Sequence, residues 1–277
     1  MKSTLSMFRL DVDYLKALAL EHREAYATAS PFPHVVIDNF LPETLLEEVL
    51  KEFPNPKQID WQTFQTPAEK KLASRHEQQM GDATRLLLYN LNSSTFITFL
   101  EILTGIDGIL PDPHFEGGGL HQIERGGFLK MHVDFNHHKK LRLDRRLNFL
   151  LYLNQDWKEE YGGHLELWDT KMTQCQKKIL PLFNRCVVFS TTDFSYHGHP
   201  EPLTCPEDRT RKSLALYYYT NGRPAEEVTG KPHTTIFQAR TQDDFKLDES
   251  SNLTVKAILR KLVPPILIDV RDALKNK

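Results

Sequence analysis

From residue 119 onward the chain is a series of short runs rich in β-branched and aromatic residues, separated by turn residues. Runs of this length and composition are typical of antiparallel strands. Seven or eight such strands, with helices gathered in front of them, favour a β-sandwich or jelly roll. The runs occupy residues 119–124, 127–133, 146–153, 164–169, 177–180, 185–190 and 211–219.

The residues before and after these runs have a different pattern. Apolar spacing predicts helices over residues 10–27, 44–53 and 93–103, and a short strand over 34–38, whereas the polar stretch 55–85 is typical of a solvated loop. The residues after Pro224 turn polar and then predict two helical pieces around Pro264-Pro265. We therefore expect a single domain over residues 1–277, with a helical front (1–118), a strand-rich core (119–222) and a C-terminal extension (223–277).

Composition limits the kinds of partner. The 277 residues carry 35 Lys plus Arg against 37 Asp plus Glu. This balance gives no electrostatic footprint for nucleic acid or for an anionic membrane. No apolar run approaches the roughly 18 residues of a spanning helix, and the N-terminus lacks the apolar core of a signal peptide. Three cysteines without metal-type spacing imply no disulfide framework. We expect a cytoplasmic protein that binds neither nucleic acid nor membrane.

The segment His132-Val133-Asp134 carries the first chemical signal. Residues two apart in a strand face the same way, so this imidazole and this carboxylate converge on one point. A second histidine more than sixty residues later, His197 or its neighbour His199, would complete a set of two histidines and one carboxylate. Such a facial triad leaves open positions on a metal and suits non-haem Fe(II) that binds a co-substrate and O2.

Arg211 and Ser213 open the apolar strand that runs to residue 219, and the period of two places them on one face. A buried guanidinium is suited to hold a carboxylate remote from the metal. A dicarboxylate could then chelate iron at one end and pair with Arg211 at the other, and 2-oxoglutarate is the obvious candidate. Arg209 competes for this role, but it follows the acidic turn Glu207-Asp208 and does not open the strand.

Several stretches between residues 119 and 220 resemble the Fe(II)- and 2-oxoglutarate-dependent oxygenases, specifically the prolyl-4-hydroxylase-like branch. The segment 127–134 is similar to the first metal-binding strand, and His197-Gly198 and Arg211 stand where that family places its second histidine and its 2-oxoglutarate arginine. The other matching stretches are 147–157, 162–167 and 181–185, and residues 30–41 look like the opening of many such oxygenases.

The resemblance implies an α+β chain with a double-stranded β-helix (jelly-roll, cupin-like) core, N-terminal helices packed on it and a helical C-terminal tail. It implies Fe(II), 2-oxoglutarate and O2 as cofactor and co-substrates, with ascorbate as a possible addition. It also implies that Tyr152 binds the distal carboxylate of 2-oxoglutarate. Gln122 stands where relatives often carry a co-substrate-contacting tyrosine, which is a departure from the family pattern.

The expected reaction is oxidation of an unactivated C–H bond, by hydroxylation or oxidative demethylation, with release of succinate and CO2. We expect a small-molecule or amino-acid-like substrate, and a peptidyl prolyl residue is the alternative. Two further alternatives are a cupin-type metalloenzyme that does not use 2-oxoglutarate and a non-catalytic jelly-roll binding module. Specificity should reside in residues 55–85, 135–145 and those after 223, and the predicted helical tail (254–275) could form a homodimer contact.

Overall fold

Four α-helices lie in the first part of the computed structural model, which describes residues 8–224, 227, 230–241 and 244–245. They are α1 (Val12–Thr28), α2 (Glu43–Glu52), α3 (Asp82–Leu91) and α4 (Ser94–Thr104). The predictions of α1, α2 and α4 are confirmed, whereas α3 was not predicted. The predicted helical tail (254–275) lies outside the described residues.

The described residues form fourteen strands, and each predicted run overlaps one of them. All pairs between neighbouring strands are antiparallel, and the main path through the sheet is β1-β11-β8-β13-β5-β3-β6-β12-β9-β10. The strands are β1 (His34–Ile37), β2 (Gln62–Gln65), β3 (Glu69–Ala73), β4 (Leu110–Pro111), β5 (Gly119–Ile123), β6 (Phe128–Val133), β7 (His137–His138), β8 (Leu143–Tyr152), β9 (Leu165–Trp168), β10 (Cys175–Ile179), β11 (Cys186–Ser190), β12 (His197–His199), β13 (Arg211–Thr220) and β14 (Ile236–Phe237).

This sheet curls back on itself. In the strand order β6 stands four places from β8, which would separate them by about 19 Å in a flat sheet. Nevertheless Asp134, directly after β6, lies 3.0 Å from Arg145 of β8 (Oδ2 to Nη2). The sheet is therefore a nearly closed, barrel-like jelly roll with helices on its outside, which confirms the expected fold class.

The two faces of the sheet bury different residues. Phe149 of β8 and Tyr218 of β13 pack outward on Phe40 and Phe96, and the side chains of the helices complete this cluster. The alternate residues point inward, and Tyr152 packs there with a smaller apolar group that includes Val187 and Phe189. The outer face thus supplies the main core, while the inner face is left to line a site.

The polar stretch 55–85 is not a solvated loop, so this prediction was wrong. It contains the hairpin β2–β3, and β3 pairs with both β5 and β6. Glu69 and Lys71 of β3 point to the inner face and form an ion pair of 3.3 Å. Polar residues such as these made the stretch resemble a loop in composition. Its backbone nevertheless forms hydrogen bonds with neighbouring strands of the sheet.

Residues beyond 222 also contribute to the barrel. Ile236 and Phe237 form β14, which pairs with Val133 and His132 at the end of β6. Within the described part of the chain no single helix is long and apolar enough to cross a membrane. Taken together, α3 and α4 have the length and composition of a membrane span, but the two helices are bent by 51° relative to each other.

Candidate metal and co-substrate site

His132, Asp134 and His197 converge at the inner face of the barrel. Their candidate ligand atoms all lie within 4.8 Å of one another. His132 and His197 are directly opposite each other on β6 and β12, and their Nε2 atoms are 3.6 and 3.3 Å from the two oxygens of Asp134. The period of two thus brings together the residues that the sequence pattern predicted.

Backbone carbonyls orient both imidazoles. Nδ1 of His132 lies 2.9 Å from the carbonyl oxygen of Lys130, and Nδ1 of His197 lies 2.9 Å from that of Ser195. A carbonyl oxygen only accepts a hydrogen bond, so Nδ1 carries the proton in both rings. Nε2 is therefore the ring nitrogen that each histidine presents toward Asp134, as in metal-ligating histidines whose other nitrogen donates to a carbonyl.

A cation and an amide hold the carboxylate of Asp134. Arg145 donates from Nη2 at 3.0 Å, and Asn148 donates from Nδ2 at 2.7 Å, both to Oδ2. Burial raises the pKa of Asp134, but Arg145 and the neighbouring imidazoles outweigh it and hold this pKa well below its usual value. The carboxylate is thus ionised at neutral pH, while burial and the neighbouring His197 lower the pKa of His132 and favour its neutral form.

Sequence reasoning missed Arg145 and Asn148. Arg145 is 1% exposed, and its guanidinium stacks on Tyr217, with the ring centroid 3.4 Å away, and on Phe135. The available signal was the amide of Asn148 between the apolar residues Leu147 and Phe149, whereas Arg145 stands among three consecutive charged residues and gave no such signal. A buried charge requires a partner, and Asp134 provides it here.

Arg211, 5% exposed, opens β13 on the same inner face. Its Nε donates to the carbonyl oxygen of Gly163 at 2.8 Å, and its Nη2 donates to the hydroxyl of Tyr152 at 3.3 Å. Ser213 is directly opposite Tyr152 in the β13–β8 pairing, so these three predicted residues share one face. Among the described residues no carboxylate pairs with Arg211, and a buried guanidinium without one is suited to bind an anion.

Gly163 makes room for this arginine. Its φ is +74°, and a Cβ atom there would lie 3.0 Å from Cδ of Arg211 and 2.6 Å from Leu203. Gly162, the preceding residue, also has a positive φ, but a Cβ atom there would meet nothing within 4 Å. The Gly162-Gly163 pair therefore does two things: both residues allow the turn, and Gly163 alone lets Arg211 approach the backbone.

The structure does not bring Gln122 to this face, which corrects the expectation that it contacts the co-substrate. Gln122 is opposite Lys212, on the other side of the sheet from Ser213. Its amide donates to the carbonyl oxygen of Pro54 at 3.0 Å and accepts from Thr210 at 2.7 Å. His121, one residue earlier, is opposite Ser213 and faces inward instead. A shift of one residue exchanges the two faces of a strand.

The two alternatives left open by the sequence are also separated in space. His197 belongs to the group of three ligand atoms, whereas His199, which also faces inward, is opposite Leu129 and lies outside that group. Arg209 donates to the backbone carbonyl of Gln155, away from the inner face.

The strand β14 covers one side of the metal ligands. The ring of Phe237 lies 5.5 Å from that of His132, and Gln238 donates from its backbone to Met131. His233 pairs with Asp193 at 2.8 Å and donates from its backbone to Asn136, two residues after Asp134. Residues 233–238 of the predicted extension are thus part of the wall of the site.

This donor set fits non-haem Fe(II). Two imidazoles and one carboxylate on one side of a common point leave the opposite side free for co-substrates. Arg211, which has no carboxylate partner among the described residues, lies on the same face and fits the far carboxylate of a dicarboxylic acid.

Comparisons with known proteins agree with this chemistry. Residues 118–219 match the family model of the 2OG-Fe(II) oxygenase superfamily. Prolyl 3-hydroxylase OGFOD1 of Mus musculus is 28% identical over 208 residues, which are 72% of this chain and 34% of that protein. The chain thus spans about a third of the length of this relative.

Two solved structures share the fold. A prolyl hydroxylase of Trichoplax adhaerens, in complex with a peptide fragment of the hypoxia inducible factor oxygen degradation domain, superposes with a TM-score of 0.55 and 20% identity. This superposition covers 75% of this chain and 91% of the Trichoplax chain. A prolyl-4-hydroxylase of Pseudomonas putida superposes with a TM-score of 0.53 and 17% identity. This superposition covers 74% of this chain and 100% of the Pseudomonas chain. Residues 118–219 are thus similar to the 2OG-Fe(II) oxygenase superfamily, and the described part of the chain shares the fold of these two prolyl hydroxylases.

Proposed function

We propose that this dioxygenase hydroxylates a prolyl residue of a protein or peptide. His132, Asp134 and His197 hold the Fe(II), and Arg211, Ser213 and Tyr152 bind the distal carboxylate of 2-oxoglutarate. The observation that carries the proposal is the buried Arg211, which has no carboxylate partner among the described residues and shares the inner face with the three candidate ligands. A metalloenzyme that does not use 2-oxoglutarate, or a binding module, would gain nothing from this arginine.

The chain's own residues bind, orient and exclude water. Bound Fe(II) would supply the activation of O2 that couples decarboxylation of 2-oxoglutarate to succinate with oxidation of a substrate C–H bond. Lys130 and Ser195 fix the imidazoles through their carbonyl oxygens, and Arg145 keeps Asp134 ionised and oriented. Arg211 and the hydroxyl of Tyr152 set the co-substrate's position, and Phe237 covers His132.

The substrate class is supported by the relatives. OGFOD1 is described as a prolyl 3-hydroxylase, and the two solved structures are prolyl hydroxylases, one of them in complex with a peptide.

Anaerobic reconstitution tests the reaction. Purified protein receives Fe(II) and then 2-oxoglutarate, and the visible charge-transfer band of the chelate is recorded. Air is then admitted, and succinate is measured with a prolyl peptide library, with free proline or without substrate. We expect the band, slow succinate formation without substrate, and faster formation with some peptides, which gain 16 Da at proline.

Three outcomes would change the proposal. Without a band and without succinate, the site does not use 2-oxoglutarate, which supports the cupin-type alternative or a binding module. Stimulation by small amino-acid-like compounds but by no peptide would support the small-molecule alternative. A mass loss of 14 Da from a methylated substrate would identify demethylation in place of hydroxylation.

A further inference from the structure

His199 is a buried histidine without a partner. Its side chain is 3% exposed, and neither ring nitrogen forms a hydrogen bond within the described structure. The large majority of buried side-chain polar atoms in proteins have a partner, and an exception requires an explanation. His199 differs in this from its neighbour His197, whose Nδ1 is hydrogen-bonded to a backbone carbonyl.

A bulge in β6 places Leu129 opposite His199 on the inner face of the barrel. His197 is opposite His132 and His199 is opposite Leu129, so the step of two residues on β12 matches three residues on β6. In a regular strand Leu129 and His132 would point to opposite faces, but the extra residue places both on the inner face. His199 therefore faces inward beside Leu129, as His197 does beside His132.

Cross-strand pairs connect His199 to the co-substrate end of the site. Leu129 is also opposite Glu69, and Glu69, Lys71 and Ala73 alternate along the same face of β3. The same face continues across the next three strands, β5, β13 and β8, through the cross-strand pairs Ala73–His121, His121–Ser213 and Ser213–Tyr152. The electrostatic neighbours of the His199 ring are accordingly Arg211, Lys71 and His132. Its ring thus lies on the same inner face as the metal ligands and the arginine.

We propose that His199 is a co-substrate-binding residue, whose ring N–H donates a hydrogen bond to a carboxylate oxygen of 2-oxoglutarate held between the metal ligands and Arg211. This inference rests on the proposed function. An imidazole offers one donor and one acceptor, and neither ring nitrogen of His199 has a hydrogen-bond partner among the described residues. A carboxylate accepts such a donor, whereas the surrounding apolar side chain of Leu129 cannot.

The test measures binding and stability instead of turnover. Wild type, His199→Leu and His199→Gln are titrated anaerobically, first with Fe(II) and then with 2-oxoglutarate, and the charge-transfer band gives the Kd. Thermal unfolding of the metal-free proteins is followed with and without 2-oxoglutarate. His199→Leu keeps a similar volume without a donor, whereas the amide of His199→Gln retains one.

We expect His199→Leu to raise the Kd for 2-oxoglutarate about 10- to 100-fold while leaving that for Fe(II) unchanged. His199→Gln should recover part of the affinity. The Tm of metal-free His199→Leu should equal or exceed that of wild type, because an apolar side chain replaces an unpaired polar one. A histidine with a purely structural role would give the opposite result, a lower Tm with unchanged 2-oxoglutarate affinity.

The possible failures are distinguishable. If wild type binds no 2-oxoglutarate, the proposed function itself is wrong. If wild type binds it and His199→Leu binds it equally well, only the role of His199 is overturned. If His199→Leu does not fold, the same comparison is made between His199→Gln and His199→Asn, whose shorter side chain does not extend the donor as far; equal affinities would then overturn the role.

Discussion

Nη2 of Arg145 lies 3.0 Å from Oδ2 of Asp134, although the two residues belong to strands that are four places apart in the sheet. The contact exists because the sheet curls, and it gives a buried metal-ligand candidate a permanent cation. The same guanidinium is sandwiched against Tyr217 and Phe135, which fixes its position. The geometry of the site is therefore tied to closure of the barrel.

Replacement of Arg145 by methionine should weaken metal binding. The variant loses the hydrogen bond that orients Asp134 and the charge that lowers its pKa, so protons compete better with the metal. We expect Fe(II) affinity to fall about 10- to 100-fold. Anaerobic Fe(II) titration measures this, and Arg185→Met, which breaks the surface pair with Asp38, is the matched control. Equal losses in the two variants would contradict the prediction.

Arg211→Met should raise the 2-oxoglutarate requirement without affecting iron. The variant removes the buried guanidinium on the inner face but none of the three candidate metal ligands. We expect a Kd for 2-oxoglutarate at least about 100-fold higher, since a charge-assisted bidentate pair is lost. The control is Arg209→Met, two residues earlier and away from the inner face. Similar affinities in these two variants would remove Arg211 from the site.

Alanine substitutions at Gly162 and Gly163 distinguish the effect of backbone strain from that of displacing Arg211. Gly162→Ala and Gly163→Ala both place a Cβ on a residue with positive φ, and each should destabilise the protein by about 1 kcal/mol. Only the Cβ of Gly163→Ala meets Arg211 and Leu203. We expect weaker 2-oxoglutarate binding in Gly163→Ala alone, measured by the same titration alongside urea unfolding. Loss of affinity in Gly162→Ala would show that the turn itself matters.

The stability of the metal-free protein should depend on His121 in acid. Burial, together with the positive charge of Lys71, lowers the pKa of His121 to about 3. Between that value and the unfolded pKa near 6.5, only the unfolded state binds the proton, so stability falls as pH drops below about 6.5. At pH 5 this amounts to about 2 kcal/mol. Urea unfolding at pH 7 and pH 5 should show a smaller loss in His121→Asn than in wild type; equal losses would refute the assignment.

The strand-rich core and the candidate metal ligands could be predicted from local patterns in the amino-acid sequence. The period of two in His132-Val133-Asp134 and in Arg211-Lys212-Ser213 is a local property, so side chains that share a face could be read from it. Three helices were predicted for the same reason, since their apolar spacing is local. The family resemblance added Tyr152, and the structure places it beside Arg211.

Which faces of the strands meet depends on the tertiary structure. Gln122 and His121 differ by one position, and the register of β5 against β13 selects His121 for the inner face. The period of two already gives His197 and His199 one face, but the bulge of β6 against β12 sets His199 opposite Leu129, outside the group of candidate ligands. The polar hairpin β2–β3 and the strand β14 were missed because their backbone partners are distant in sequence, and Arg145 meets Asp134 only when the sheet closes. Register and closure are properties of strand pairs, which no local pattern contains.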